Sequence, residues 1–218
     1  GSAARIMTGA PVPDEAGRVV MQEQTELRDG WVRVLQRDGP RNICPQGEDI
    51  RCGQPVLPAG QRLAAVDLAN LAACGLVEVR VARRVRLAVI STGDEVVSHP
   101  DQLGPGRILD ANGPLLAGLA RTWGLELTLR THAPDNASAT RDTLREALSR
   151  ADLVALSGGV SAGVFDHVQG ALLDCGLAIA FHRLAVKPGR PMTFAHGPAG
   201  LVFGLPGNPV PVYLMFHL

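Results

Sequence analysis

Aromatic residues make up 4% of this chain, and its formal net charge is zero, with 21 basic against 21 acidic side chains. Holding a nucleic-acid backbone without regard to sequence needs a strong positive field, so no nucleic-acid partner is expected. No apolar run approaches the ~18 residues of a membrane span, and no signal-peptide pattern opens the chain. A cytoplasmic protein without membrane contact is expected. The four cysteines, Cys44, Cys52, Cys74 and Cys175, form no C-x-x-C pair, which disfavours a disulfide scaffold and a zinc knuckle. The six histidines show no H-x-x-x-H spacing, which disfavours a zinc site built from His. Lysine is the scarcest basic residue: Lys187 is the only one among 21. Either composition left it there by chance, or that position needs a compact ammonium where a guanidinium will not serve.

Glycine and proline are abundant, 25 and 16 residues of 218, so the chain turns often and packs mainly aliphatic side chains. Residues 1–83 read as a β-rich, irregular segment. Val19-Val20-Met21-Gln22 and Trp31-Val32-Arg33-Val34-Leu35 are strand-like, with Asp29-Gly30 as a turn between them. Val66 to Cys74 reads as a short helix stopped by Gly75, and Leu76 to Val81 alternates as a strand does. Both ends read as cut, with Gly1-Ser2 an expression scar, so a fragment of a longer protein is expected.

Near Arg84 the pattern changes. Arg86 to Ile90 and Leu153 to Leu156 are near-continuous apolar runs, as in strands buried on both faces of a parallel sheet. Between and after them come helical patterns. Asn112 is placed as a cap before Leu116, Leu119, Ala120 and Trp123. Ser138 or Thr140 opens a helix carrying Leu144, Ala147 and Leu148, and Val168, Ala171 and Leu172 form a third helical face. Strand-like runs around Ile179 to Ala185 and Leu201 to Gly204 follow. Alternating strand and helix predicts an α/β domain over 84–218, an αβα sandwich on a mostly parallel sheet.

Open parallel sheets bind ligands beyond the C-terminal ends of their strands. Four predicted strand ends lead into Ser91-Thr92-Gly93-Asp94-Glu95, Ser157-Gly158-Gly159-Val160-Ser161, Lys187-Pro188-Gly189-Arg190-Pro191 and Gly204-Leu205-Pro206-Gly207-Asn208-Pro209. Glycine lets backbone N–H groups approach an anion. Together the four turns point to an anion or phosphate pocket, with Arg183, Lys187 and Arg190 as its cations. Asp110 and Asp166 each stand just before or at the start of a predicted helix. Each serves either as a cap or, beside phosphate, as a Mg²⁺ ligand.

In order along the chain, these turns, together with Arg5 to Pro13, Val19 to Glu23, Gly47-Glu48-Asp49-Ile50 and Asp110-Ala111-Asn112, resemble the molybdopterin molybdenumtransferases, the MoeA and gephyrin E-domain family. The resemblance covers nearly the whole chain, without the family's first hundred or so residues and its C-terminal β-rich domain. It implies an enzyme of molybdenum cofactor biosynthesis that inserts molybdate into adenylylated molybdopterin and releases AMP, as an elongated homodimer. It implies catalytic roles for Glu48, Asp110, Asp166 and Lys187, and Mg²⁺ at Asp110 and Asp166. It implies binding of the pterin nucleotide or molybdate by Ser91, Thr92, Gly93, Glu95, Ser157, Gly158, Gly159, Ser161, Arg183, Lys187, Arg190, Pro206, Gly207 and Asn208. Two departures stand out: Pro211 where relatives carry Ser, and Gly17-Arg18 where many carry Asp. Two alternatives have their own discriminators. A scaffold of the gephyrin type would need a receptor-binding signature, which is not readable here. A nucleotide deamidase on the same fold would lack the Gly47 to Ile50 run.

Overall fold

The computed structural model describes residues 2–159 and 165–218. The chain forms two compact units, Gly1–Arg80 and Val81–Leu218.

In the first unit, β1 (Thr25–Arg28) and β2 (Trp31–Val34) pair antiparallel, with Arg28 opposite Trp31. Asp29 and Gly30 both have positive φ, 50° and 80°, the backbone of a two-residue hairpin turn that matches strand twist. α1 (Ala65–Ala73) starts where the Asp67 carboxylate accepts the Ala64 N–H at 2.7 Å, and it stops before Gly75 at φ 77°. The strand content is lower than the sequence suggests. Val19 to Met21 is irregular, Gln22–Gln24 is a 3₁₀ turn, and Leu76 to Val81 is not a strand. Both runs have β-prone residues but no partner strand, and propensity without pairing does not make a sheet.

The second unit begins with β3 (Arg86–Thr92). A parallel two-residue pair follows, β4 (Val96–Val97) with β5 (Ile108–Leu109), and leads into α2 (Asn112–Thr122). Then come β6 (Glu126–Ala133), α3 (Ala137–Arg150), β7 (Leu153–Ser157), α4 (Phe165–Asp174), β8 (Ala178–His182), β9 (Thr193–Gly197), β10 (Gly200–Leu205) and α5 (Pro209–Phe216). The six-stranded sheet has the order β6-β3-β7-β10-β9-β8. Only β9 runs against the others, antiparallel to β10 and β8. Sequence reading missed β9, because Thr193-Phe194-Ala195-His196-Gly197 is short and closes on a two-residue turn into β10.

Alternation along the strands builds two cores. Ala88, Ile90, Val154 and Leu156 face α3 and α4 with Leu144, Ala147 and Leu172. Leu87, Val89, Ala155 and Leu205 face Leu116 and Ala120 of α2 and Val212 and Met215 of α5. The unit is therefore an αβα sandwich on a mostly parallel sheet. Each large side chain buried this way contributes roughly 1.5–3 kcal/mol. α5 carries Pro209 at its first position and Pro211 two further on, within the turn whose N–H groups have no intrahelical acceptor, so Pro211 costs no helix hydrogen bond. Among the described residues no helix is long and apolar enough to cross a membrane.

At the start of the sheet Asp152 accepts from Arg83 Nη1 and Nη2 at 2.5 and 2.9 Å. It also accepts from the Arg86 N–H and guanidinium, each at 2.9 Å. The Arg83 and Arg86 guanidiniums and the Arg86 N–H hold its carboxyl far below the usual carboxylate range. A lowered folded-state pKa contributes stability above the unfolded pKa, and that contribution is lost as pH falls. Asp152→Asn is expected to lower the Tm at pH 7, and the gap to the parent should narrow below about pH 4, where the unfolded carboxyl protonates. Thermal melts across pH 2–7 measure this; a gap independent of pH contradicts it.

At the opposite edge, Gly158 has φ 91°, and a β-carbon there would lie 2.7 Å from Thr92 Oγ1 and 2.9 Å from Thr92 O. Gly158→Ala is expected to destabilise the fold by about 1–3 kcal/mol. Gly118→Ala, inside α2 with nothing within 4 Å of the added carbon, should stabilise it by up to ~1 kcal/mol. Chemical denaturation of the two variants decides whether close approach, rather than loss of glycine in general, sets the sign.

Candidate functional site

β3 leads through α2 to β6 on one side, and β6 leads through α3 back to β7 on the other side of β3. The crevice between the ends of β3 and β7 is therefore the topological switch point of the sheet, where open α/β folds take ligands. Ser91 and Ser157 are register partners there. By the alternation that points Leu87, Val89 and Ala155 toward α2 and α5, both serines point to that face.

The start of α2 receives them. Ser91 Oγ donates to Asp110 Oδ2 at 3.0 Å, and the Gly113 N–H donates to Asp110 Oδ1 at 2.8 Å. Asp110 thus caps the helix, the role that sequence reading gave to Asn112. Asn112 is instead the first helical residue. Its Nδ2 donates to Ser157 Oγ and to Gly207 O, each at 2.6 Å, so one amide ties the start of α2 to the ends of β7 and β10. Its Oδ1 is buried and has no partner among the described residues. Asn112 is the main residue that sequence reasoning missed. No local signal marks it, because its partners Ser157 and Gly207 stand 45 and 95 residues away.

The Gly-rich turns divide their work. Thr92 Oγ1 donates to Ser157 O at 3.3 Å, and the Gly158 N–H donates to Leu205 O at 3.2 Å. Gly158 therefore serves close approach rather than ligand donation. Gly93 (φ 123°) leaves the space that the exposed Glu95 carboxylate fills, and its carbonyl accepts from His132 Nε2 at 2.8 Å. Pro206 is buried, and Gly207 and Asn208 are exposed ahead of α5.

The basic turn joins β8 to β9. Because β8 runs in the same direction as β3, β7 and β10, this turn lies at the same edge of the sheet as the other three. Arg183, Lys187 and Arg190 are exposed and carry no side-chain hydrogen bond or ion pair among the described residues. Arg183 has φ 91°, a conformation that costs a residue with a β-carbon. Gly189 is buried, and the space over its Cα is filled by Met215, which draws the loop over α5. Burial and the neighbouring Arg183 push the His182 imidazole down from its usual pKa.

Ser161 and the side chain of Asp166 lie outside the described residues. Gly159-Val160-Ser161-Ala162-Gly163 spells the G-x-S-x-G of a hydrolase elbow. That motif needs its serine on a sharp turn between strand and helix, and its residues from Val160 to Gly163 lie outside the described residues. Glu48 belongs to the first unit, exposed in the turn Pro45 to Glu48, where it holds the Cys44 thiol above its usual range. Among the described residues no group of three or more His, Cys, Asp or Glu side chains is placed to hold a metal ion.

Residues 88–218 match the family described as "Probable molybdopterin binding domain", and residues 1–75 match the "MoeA N-terminal region (domain I and II)". The chain is 39% identical over 226 residues to a molybdopterin molybdenumtransferase of Nostoc sp., covering 99% of this chain and 50% of that protein. It is 38% identical to one of Haemophilus influenzae, covering 99% and 54%. The crystal structure of a molybdopterin biosynthesis moeA protein from Pyrococcus horikoshii OT3 superposes with a TM-score of 0.77 at 30% identity, over 97% of this chain and 51% of that one. The chain spans about half the length of the curated relatives it matches. With a MoeA N-terminal region followed by a molybdopterin-binding domain, the chain belongs to the molybdopterin molybdenumtransferase family.

Proposed function

We propose that this chain is the part of a molybdopterin molybdenumtransferase that holds adenylylated molybdopterin and molybdate, in the step of molybdenum cofactor biosynthesis that releases AMP. The observation that carries the reading is the convergence of Ser91, Asp110, Asn112, Ser157 and Gly158 at the switch point of the sheet.

Reach supports it. The basic turn leaves the sheet at β8, four strand intervals from β3, or about 19 Å at ~4.8 Å per interval. A ligand that touches both Asp110 and Lys187 is extended, as a pterin joined to a nucleoside through a pyrophosphate is. In this reading Lys187, Arg190 and Arg183 bind the oxyanions, molybdate among them. The Gly159 N–H, rather than that of Gly158, faces the pyrophosphate. Asn112 fixes the two turns that form the floor, and the buried edge beneath them limits water. A water oxygen attacks the anhydride phosphorus, the bridging P–O bond breaks and AMP leaves, while molybdate exchanges oxo ligands for the two sulfurs of the pterin and those oxygens leave as water, so no protein nucleophile is needed.

Asp110 fits a Mg²⁺ ion of the kind that takes one or two carboxylates plus phosphate oxygens. Each of its oxygens accepts one hydrogen bond and keeps a lone pair. Asp166 is the second carboxylate of this proposal, and the ion when bound would neutralise charge on the pyrophosphate. Glu48 keeps the catalytic role that the resemblance implies, in a cytoplasmic homodimer. The strongly exposed Leu27 and Trp31 of the hairpin favour pairing, which sedimentation velocity tests. A chain that sediments only as a monomer removes the dimer from the proposal.

The function is tested by quantifying AMP from adenylylated molybdopterin with and without molybdate. Release that depends on molybdate is expected, and release indifferent to it overturns the reading. Lys187→Ala is expected to weaken ligand binding roughly 10- to 150-fold, the worth of a charge-assisted hydrogen bond. Because Lys187 is exposed, its stability should stay within ~0.5 kcal/mol of the parent. Lys187→Arg should recover part of the affinity, since a planar fork does not replace a point charge. Calorimetric titration with molybdate and with AMP, beside thermal melts, measures both. Full affinity in Lys187→Ala makes the lone lysine an accident of composition.

A further inference from the structure

The segment Val77 to Val81 has the composition of a strand but no strand beside it. Val77, Val79 and Val81 alternate with Glu78 and Arg80, so in extended backbone the valines share one face and the two charges the other. The three valines are 93%, 42% and 68% exposed. No N–H or C=O from Val77 to Ala82 has a hydrogen-bond partner among the described residues. The side chains of Glu78 and Arg80 are exposed and carry no hydrogen bond or ion pair among them. Valine at alternate positions suits a pleated, half-covered surface, and an unpaired strand offers its row of donors and acceptors to another chain.

This segment is complementary to itself. Laid antiparallel on a second copy, with a two-fold axis at Val79, it sets Val77 opposite Val81, Glu78 opposite Arg80 and Val79 opposite Val79. Leu76 then meets Ala82. Each opposed pair is apolar with apolar or acid with base, and such cross-strand pairs stabilise a sheet. Other arrangements lose the match. Sliding the copies by two residues sets Glu78 against Glu78 or Arg80 against Arg80, and an in-register parallel pair sets each charge beside its own kind. A slip of one residue turns the valines of one copy onto the charged face of the other. The exposed hairpin offers no such complement, because Glu26 is already the register partner of Arg33 within the same copy.

We propose that Val77 to Val81 is the strand through which two copies of this chain pair, antiparallel and in an isologous contact. This rests on the homodimer of the proposed function and names the segment that joins it. The test is sedimentation velocity of the whole chain over a concentration series, beside hydrogen exchange of its amides. Self-association is expected, with exchange at Val77 to Val81 slowing as the dimer fills. Glu78→Arg opposes two bases and Arg80→Glu opposes two acids, so each alone should weaken dimerisation about 10-fold. Both positions are exposed, and circular dichroism at low concentration checks that each variant is folded. Mixing the two variants restores both acid–base pairs and should recover dimers of parental strength. The double variant carrying Glu78→Arg and Arg80→Glu should do the same by itself. A chain that is monomeric at every concentration overturns the proposal together with the homodimer. A dimer indifferent to the single changes, or one that neither the mixture nor the double variant restores, overturns pairing through this strand alone and leaves the homodimer to another surface. Molybdate-dependent AMP release is read separately, and none of these outcomes alters it.

Discussion

β3 is the strand on which the α/β unit is organised. Leu87, Ala88, Val89 and Ile90 are fully buried, with a helix layer on each face, so nothing polar fits along their length. Ser91 and Thr92, still almost completely buried, are the first polar side chains the strand can carry, and each needs a partner because an unsatisfied buried group costs about 1–3 kcal/mol. Ser91 finds Asp110, and Thr92 finds the Ser157 carbonyl. Meeting that demand fixes the start of α2 against the strand end. Asn112 then draws in the turns after β7 and β10. The geometry of the site follows from satisfying hydrogen bonds at the top of a dry strand, before any ligand is considered.

The legibility of the sequence follows the same physics. β3 and β7 were readable because two-sided burial forces continuous apolar runs, and the helices were readable from their spacing and their glycine stops. In the first unit β2 and the Asp29-Gly30 turn were legible, whereas β1, Thr25–Arg28, was missed in favour of Val19 to Gln22. Val19 to Gln22 and Leu76 to Val81 looked alike in composition but have no ladder. β9 escaped because an antiparallel insertion of five mixed residues has neither a long run nor clean alternation. Among site residues, turn composition located Ser91, Ser157, Gly158 and the basic turn, since glycine and serine at strand ends leave a local mark. Exchanging the roles of Asp110 and Asn112 was beyond it: both are good caps, and only the position of Ser157 and Gly207, 45 and 95 residues away, decides which does what.

The turn from β8 to β9 shows how a binding surface can work against local preference. Arg183 holds a left-handed backbone that glycine would adopt without strain, and Gly189 is pinned where any side chain would meet Met215. Leu184 and Val186 pack against the α2–α5 core from the same loop. The loop is thus anchored by its apolar and glycine positions and presents its cations outward. A glycine at 183 would relieve the backbone and lose a cation. That the chain carries arginine there fits selection for charge at this edge rather than for the most relaxed turn, as strained positions at functional sites generally suggest.

Charge is distributed along the same lines. At the start of the sheet Arg83 and Arg86 share one carboxylate, Asp152, each within 2.9 Å. At the other edge Arg107, Arg130, Arg183, Lys187 and Arg190 have no ion pair among the described residues, while Asp110 and Asp94 accept from hydroxyl and backbone donors and Glu95 is exposed. A chain of zero net charge therefore still presents an edge with donors in excess. Pairing opposite charges at one end of the strands and leaving cations unpaired at the other separates the charges that hold the fold from those left to meet an anion. The whole-molecule charge carries no trace of this local asymmetry. The proposed function places an extended, acceptor-rich ligand across those strand ends.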